Sequence, residues 1–218
     1  MFFKQIFDPA SGSPLVEAAF ADVSAMLVQA AGMLDHSLAV LLDNRTVTLD
    51  LDRLDDVIDE AERRVRRNIL QHLAVNPKQD LVASLILVSM VQDAERIGDF
   101  ARGLVELMKM ARGPRQGPFA DELRALAGRV QPMFSVCEKA FREADVDEAR
   151  KVIAGHRELR EELKAYRNRV AASDLTADMA IVYAGAAQIL RRVGAHLSNI
   201  ASTVVQPYDR IRHGDEDA

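Results

Sequence analysis

Asp93-Ala94-Glu95-Arg96-Ile97-Gly98-Asp99 is the stretch on which the fold turns. It lies in a run whose apolar residues, Ile86, Met90, Ala94, Ile97, Ala101, Leu104 and Met108, recur at steps of three and four. That spacing is one face of a long helix. The same order returns late in the chain as Ile189-Leu190-Arg191-Arg192-Val193-Gly194-Ala195. The two copies align Gln92 with Gln188, Arg96 with Arg192, Ile97 with Val193 and Gly98 with Gly194. Only the first copy keeps the acids, because Arg191 and Ala195 stand where Glu95 and Asp99 stood.

Working outward, Val16, Phe20, Val23, Leu27, Ala30, Leu34, Leu38 and Leu41 trace a first helix that Asp43-Asn44-Arg45 breaks. A second follows Leu51, Leu54, Ile58, Ala61, Val65, Ile69 and Leu73 up to Asn76-Pro77, and the third runs from about Lys78 to Ala111. Arg112-Gly113-Pro114-Arg115-Gln116-Gly117-Pro118 then interrupts any helical pattern. Beyond it, Leu123 to Phe141, Val146 to Val170, and a segment opening near Ser173 and ending at Val205 read as three more helices. A repeated trihelical unit with near-heptad spacing and short loops predicts antiparallel bundle packing. The expected class is therefore all-α: two tandem antiparallel three-helix bundles, residues 15–112 and 119–206, related by internal duplication. A linker at 113–118, an apolar leader at 1–14 and a mobile acidic tail at 207–218 complete the reading.

Composition narrows the function classes. Hydrophobic residues at 49% supply a core, and aromatics at only 5% with no Trp favour helices over strands. A formal charge of −5 argues against a duplex nucleic acid partner, which needs a basic face. The single Cys137 rules out an internal disulfide and a thiolate-only metal site, and a reducing compartment is its simplest home. The longest apolar run, Met179 to Ala187, is short of the roughly 20 residues a bilayer span needs, so no membrane segment is expected. The apolar start, Met1 to Phe7, reads as folding back onto the body or onto a sister subunit in a homodimer, with contact to a membrane or a membrane partner as the alternative. No Gly-x4-Gly-Lys-Ser/Thr loop is present, which argues against nucleotide hydrolysis.

Residues four apart share a helix face, so Glu95 and Asp99 project side by side. On a helical wheel their midpoint lies about 180° from Ile97, on an outer ridge shared with Gln92 and Arg102. Paired carboxylates suit hard or borderline cations, and Asp55, Asp59 and Glu62 on the second helix are candidates to complete such a metal site. The plainer reading pairs Glu95 and Asp99 with Arg96 and Arg102, and leaves Asp52, Asp55, Asp56 and Asp59 as compensation for the helix dipole. Gly98 and Gly194 predict close helix–helix approach, His156 a core histidine, and Cys137 an inert core residue. A carboxylate-bridged metal enzyme would need paired Glu-x-x-His motifs projecting into the core, which the chain lacks. No catalytic residue is assigned.

On Leu85 to Leu104, on the weaker copy Leu190 to Ala201, and on the layout of residues 15–206, the sequence resembles the PhoU family of phosphate-uptake regulators. The resemblance implies a cytoplasmic, non-enzymatic regulator acting by protein contacts with a phosphate ABC transporter and a sensor histidine kinase, and reaching the membrane through those partners. It also implies iron, zinc or another divalent cation held by an acidic residue, three intervening residues and Asp. Glu95 and Asp99 satisfy that pattern, whereas Arg191 and Ala195 depart from it, so a single site in the first bundle is expected. An accessory subunit of another phosphate permease is the alternative within the same class.

Overall fold

The computed structural model describes residues 13–211. The expectations for the leader and for the tail beyond residue 211 lie outside the described residues. Six long helices follow one another: α1 (Pro14–Leu42), α2 (Leu51–Val75), α3 (Leu81–Met110), α4 (Pro118–Glu143), α5 (Val146–Ala171) and α6 (Ala177–Val205). There is no strand among the described residues. The all-α class and the paired three-helix layout expected from the sequence are what the chain adopts.

Local chemistry sets the ends of these helices. Ser13 caps α1 with Pro14 in the first turn, Asp50 caps α2 by accepting from the Arg53 N–H, and Asp145 caps α5 by accepting from two N–H groups. The third helix starts at Leu81, not near Lys78, because Asp80 takes the left-handed conformation (φ 51°). Its carboxylate accepts from the Ser13 N–H and approaches His72, tying the start of α3 to the start of α1 and the end of α2. The expected tail opens instead with a 3-10 turn, Tyr208–Arg210, and Ile211 is buried against the core.

Within each half, consecutive helices pack against each other, and the halves meet through α3 on α6 and α1 on α4. Hydrogen bonds fix the directions. Arg115 and Arg124 reach carbonyls at the end of α1, and the Arg112 N–H reaches Asp178 at the start of α6. At the other end Phe20 of α1 stacks on Phe141 of α4, with ring centroids 4.2 Å apart. Helix α1 therefore runs antiparallel to α4, and α3 antiparallel to α6. One contiguous core runs through both bundles.

Helix α1 corrects the membrane expectation. Its 29 residues include an 18-residue window of mean hydropathy 1.5, long and apolar enough to cross a bilayer. Glu17, Asp22, Gln29 and Asp35 interrupt its apolar residues, so no long unbroken run marks it. More than half of that window (56%) is buried, because α1 packs on three neighbours, and a helix covered on several sides is apolar around much of its circumference.

Both repeated glycines lie at close helix contacts, as their repetition predicted. A Cβ at Gly98 would sit 2.9 Å from Ile58 Cδ1 on α2; one at Gly194 would sit 2.8 Å from His156 Nδ1 on α5. The two neighbours differ in what they can concede. The tip of Ile58 can rotate aside, but the His156 ring moves as one rigid plate. We predict that Gly98→Ala is close to neutral, its strain offset by about 1 kcal/mol of helix propensity. Gly194→Ala should lose about 1–2 kcal/mol to overpacking. Gly155→Ala, with nothing within 4 Å of the new methyl, should gain up to about 1 kcal/mol. Urea denaturation of the three variants checks this order.

Candidate acidic seam between the second and third helices

Because Gly98 lets α2 in close, the flank of α3 that a helical wheel places outward becomes one wall of a seam. The Glu95 side chain is only 18% exposed and that of Asp99 37%. The expected outer ridge is thus half covered: the wheel measures angle from the average apolar stripe and is blind to how far the next helix wraps round. Across the seam stand Asp55, Asp59 and Glu62 of α2, each at least half-buried.

Most of these carboxylates have a guanidinium. Arg96 pairs with Asp99 at 3.0 Å, Arg66 with Glu62 at 2.7 Å and Arg63 with Asp59 at 3.6 Å. Arg102 does not turn to Glu95 or Asp99 as the plainer reading had it; it crosses to Asp55 and, at 3.2 Å, to Asp52. Asp55 is therefore more than a dipole-compensating surface acid. It is buried, and burial raises its pKa even though the Arg102 bond opposes the rise.

Glu95 shares its guanidinium. The Arg96 Nε stands 3.5 Å from it, while the Nη1 of the same side chain engages Asp99 at 3.0 Å. Burial, then the negative charge of Asp99, pushes the Glu95 carboxyl up to about 7; Arg96 opposes this, and Glu62 and Asp59 add to it. In charge the seam suits a cation. In geometry it is not an assembled ligand sphere: among the described residues no group of three or more His, Cys, Asp or Glu side chains is placed to hold a metal ion. Salt bridges occupy the flanking acids instead.

The motif also carries a role that the sequence left unread. Asp93 is 4% exposed and faces the second bundle, where its Oδ1 lies 2.7 Å from His196 Nδ1 and accepts from the Asn199 side-chain amide at 3.1 Å. The signal was present: Asp93 falls between Met90 and Ile97 on the apolar stripe, and a carboxylate there needs a buried partner. Nearby, Arg192 stacks over the Phe100 ring at 4.5 Å. Cys137 is fully buried, donates to the Leu197 carbonyl, and has its thiol pKa raised by burial, which fits an unreactive core residue. His156 is half-buried, as its position on the stripe implied.

A carboxyl whose folded-state pKa is raised binds its proton more tightly when folded. Glu95 therefore carries no penalty below its unfolded value near 4.5, and a growing one as pH rises towards 7. We predict that Glu95→Gln leaves stability unchanged at pH 4 and raises it by about 1–2 kcal/mol at pH 8, a figure reduced for the solvent the side chain still reaches. Thermal melts of both proteins across that range would test the sign.

The PhoU domain family model matches residues 23–108 and 123–204, one match in each bundle. The phosphate-specific transport system accessory protein PhoU homolog 1 of Thermotoga maritima is 28% identical over 192 residues, covering 84% of this chain and 83% of its own. The PhoU homolog of Synechocystis sp. is 33% identical over 112 residues, about half of each chain (50% and 49%). Crystal structures of PhoU share the fold. That from Streptococcus pneumoniae has a TM-score of 0.77 at 15% identity, over 87% of this chain and 93% of its own. That from Pseudomonas aeruginosa has 0.75 at 23%, over 88% and 95%. With matches to the family model in both halves, spanning most of the residues, the chain belongs to the PhoU family.

Proposed function

We propose that this protein is a non-enzymatic regulator of phosphate uptake that works in the cytoplasm through contacts with a phosphate ABC transporter and a sensor histidine kinase. The observation that carries this reading is the double family match, together with relatives named as accessory proteins of phosphate-specific transport. A chain of long helices with charged outer faces and an internally repeated body suits protein contacts. The acidic seam supplies a feature on which such contacts could depend.

We further propose that the seam takes a single divalent cation, iron, zinc or another, with Glu95 and Asp99 as its protein ligands. Support comes from the raised pKa of Glu95, which a cation beside it would lower. Asp59 and Glu62 are the next nearest acids to bear on Glu95, while Asp55 is committed to Arg102. Loading would require Arg96 to give up Asp99. A bound cation would neutralise the seam and hold α2 against α3.

Two measurements test the two parts separately. Deleting the gene should derange phosphate uptake and the kinase-controlled response to phosphate; unchanged uptake and signalling would remove the regulatory reading. Elemental analysis of the purified protein should find about one divalent metal per chain and its loss in Glu95→Ala/Asp99→Ala. Metal retained by that variant would take both residues out of the site.

A further inference from the structure

The second bundle carries the same seam with its charge reversed. Gly98 packs on Ile58 and Gly194 on His156, and these two contacts set the register between the halves. One turn beyond Ile58 is Glu62; one turn beyond His156 is Arg160. Three residues before Gly98 is Glu95; three before Gly194 is Arg191. Two guanidiniums thus replace two carboxylates at matching places between α5 and α6.

Arg191 and a second arginine of the seam, Arg167, converge on one neutral group. Arg191 of α6 donates through Nε to Gln188 Oε1 at 3.2 Å, and Arg167 of α5 donates to the same oxygen. Both side chains are half-buried in the seam. Among the described residues neither has a carboxylate within ion-pair distance, whereas Arg129 is paired with Glu158 and Glu162, Arg142 with Glu138, and Arg169 with Glu122. A neutral amide oxygen is a weak match for two converging cations that each offer five N–H donors. Like charges drawn together without a counter-ion repel, so a partner of opposite charge is the missing element.

His156 reports the same field. Its Nδ1 is buried without a hydrogen-bond partner. Burial, then Arg160 and Arg191, hold its pKa down at about 4. The ring is therefore neutral at physiological pH and adds no charge of its own. Arg160, which meets Glu161 only in an exposed pair at 3.2 Å, stands at the rim.

We propose that the α5–α6 seam binds a doubly charged tetrahedral oxyanion between Arg167 and Arg191, at the place where both now converge on the Gln188 carboxamide oxygen. Planar forked donors on two facing helices give such an anion two directed hydrogen-bonding contacts, and half-burial strengthens them relative to surface arginines. A small ion reaches the seam floor more readily than a partner's side chain does. The inference rests on this charge geometry alone and stands whether or not the regulatory reading holds.

Inorganic phosphate is the probe, titrated into the full chain at constant ionic strength against chloride. Saturable binding that moves the Gln188 side-chain amide and the Arg191 Nε–H resonances is the expected result. Arg167→Gln/Arg191→Gln should weaken binding by about tenfold or more. Arg129→Gln/Arg169→Gln, which removes the same charge elsewhere, should change it by less than about twofold. Lack of saturation, undiminished binding in the seam variant, or an equal loss in the control would overturn the proposal. Should the seam variant fail to fold, the wild-type resonances decide: shifts confined to residues outside the seam would overturn it equally.

Discussion

The bare backbone at Gly98 and Gly194 sets how closely the third helix of each bundle lies against the second. A glycine in mid-helix costs about 1 kcal/mol relative to alanine. At Gly98 the close approach of Ile58, 1% exposed beneath it, roughly offsets that cost. Its consequence reaches beyond packing. Drawing α2 onto α3 moves Asp55, Asp59 and Glu62 into the field of Glu95 and Asp99. The electrostatics of the seam thus follow from a missing side chain on the other face of the same turn.

The interface between the bundles is built on a near-symmetric plan with different chemistry at corresponding places. Phe100 and His196 occupy equivalent positions in the two copies and face each other, their ring centroids 5.5 Å apart. Asp93 of the first copy meets His196 and Asn199 of the second; its counterpart Ile189 meets Gly103, the counterpart of Asn199. One side of the interface is a buried polar cluster and the other an apolar contact. Breaking the polar side would leave a buried carboxylate or imidazole unpaired, at a cost of about 3 kcal/mol or more. The apolar side carries no such penalty for a small displacement. The polar cluster therefore fixes the register of α3 on α6, and its alternative registers are the ones that strand a charge.

How much of this was legible in the sequence depended on whether a feature was periodic. The six helices follow from apolar spacing, and the glycine contacts follow from repetition at matching sites. Helix starts were displaced where tertiary ties intervened, as at Asp80, whose carboxylate is held by the Ser13 N–H. The depth of Glu95 could not be read from a wheel, because it depends on the neighbouring helix. The partner choice of Arg102, crossing to Asp55 and Asp52, is equally a matter between helices. The role of Asp93 is legible in principle, since a carboxylate on an apolar stripe announces a partner even when the partner lies in another bundle. The membrane-length character of α1 shows only as an average over the helix, because polar residues break its apolar runs.

Duplication explains why the two seams can differ so completely while the cores stay alike. Core positions such as Ile97 and Val193 are fully buried, and one methylene more or less there is felt through the packing. Seam positions beside the glycines are half-open, so exchanging Glu95 for Arg191, or Glu62 for Arg160, leaves volume within reach of solvent and alters mainly the potential. A gene-doubled bundle can therefore diverge in charge at little cost in stability. Here the divergence runs to opposite signs at matching places, with the Glu95 carboxyl pushed up to about 7 on one side and the Arg191 guanidinium, without a carboxylate partner, on the other. Glu95 shares its one near guanidinium with Asp99, and Arg167 and Arg191 meet only a neutral amide, so each seam is most stable when an ion of the opposite sign reaches it.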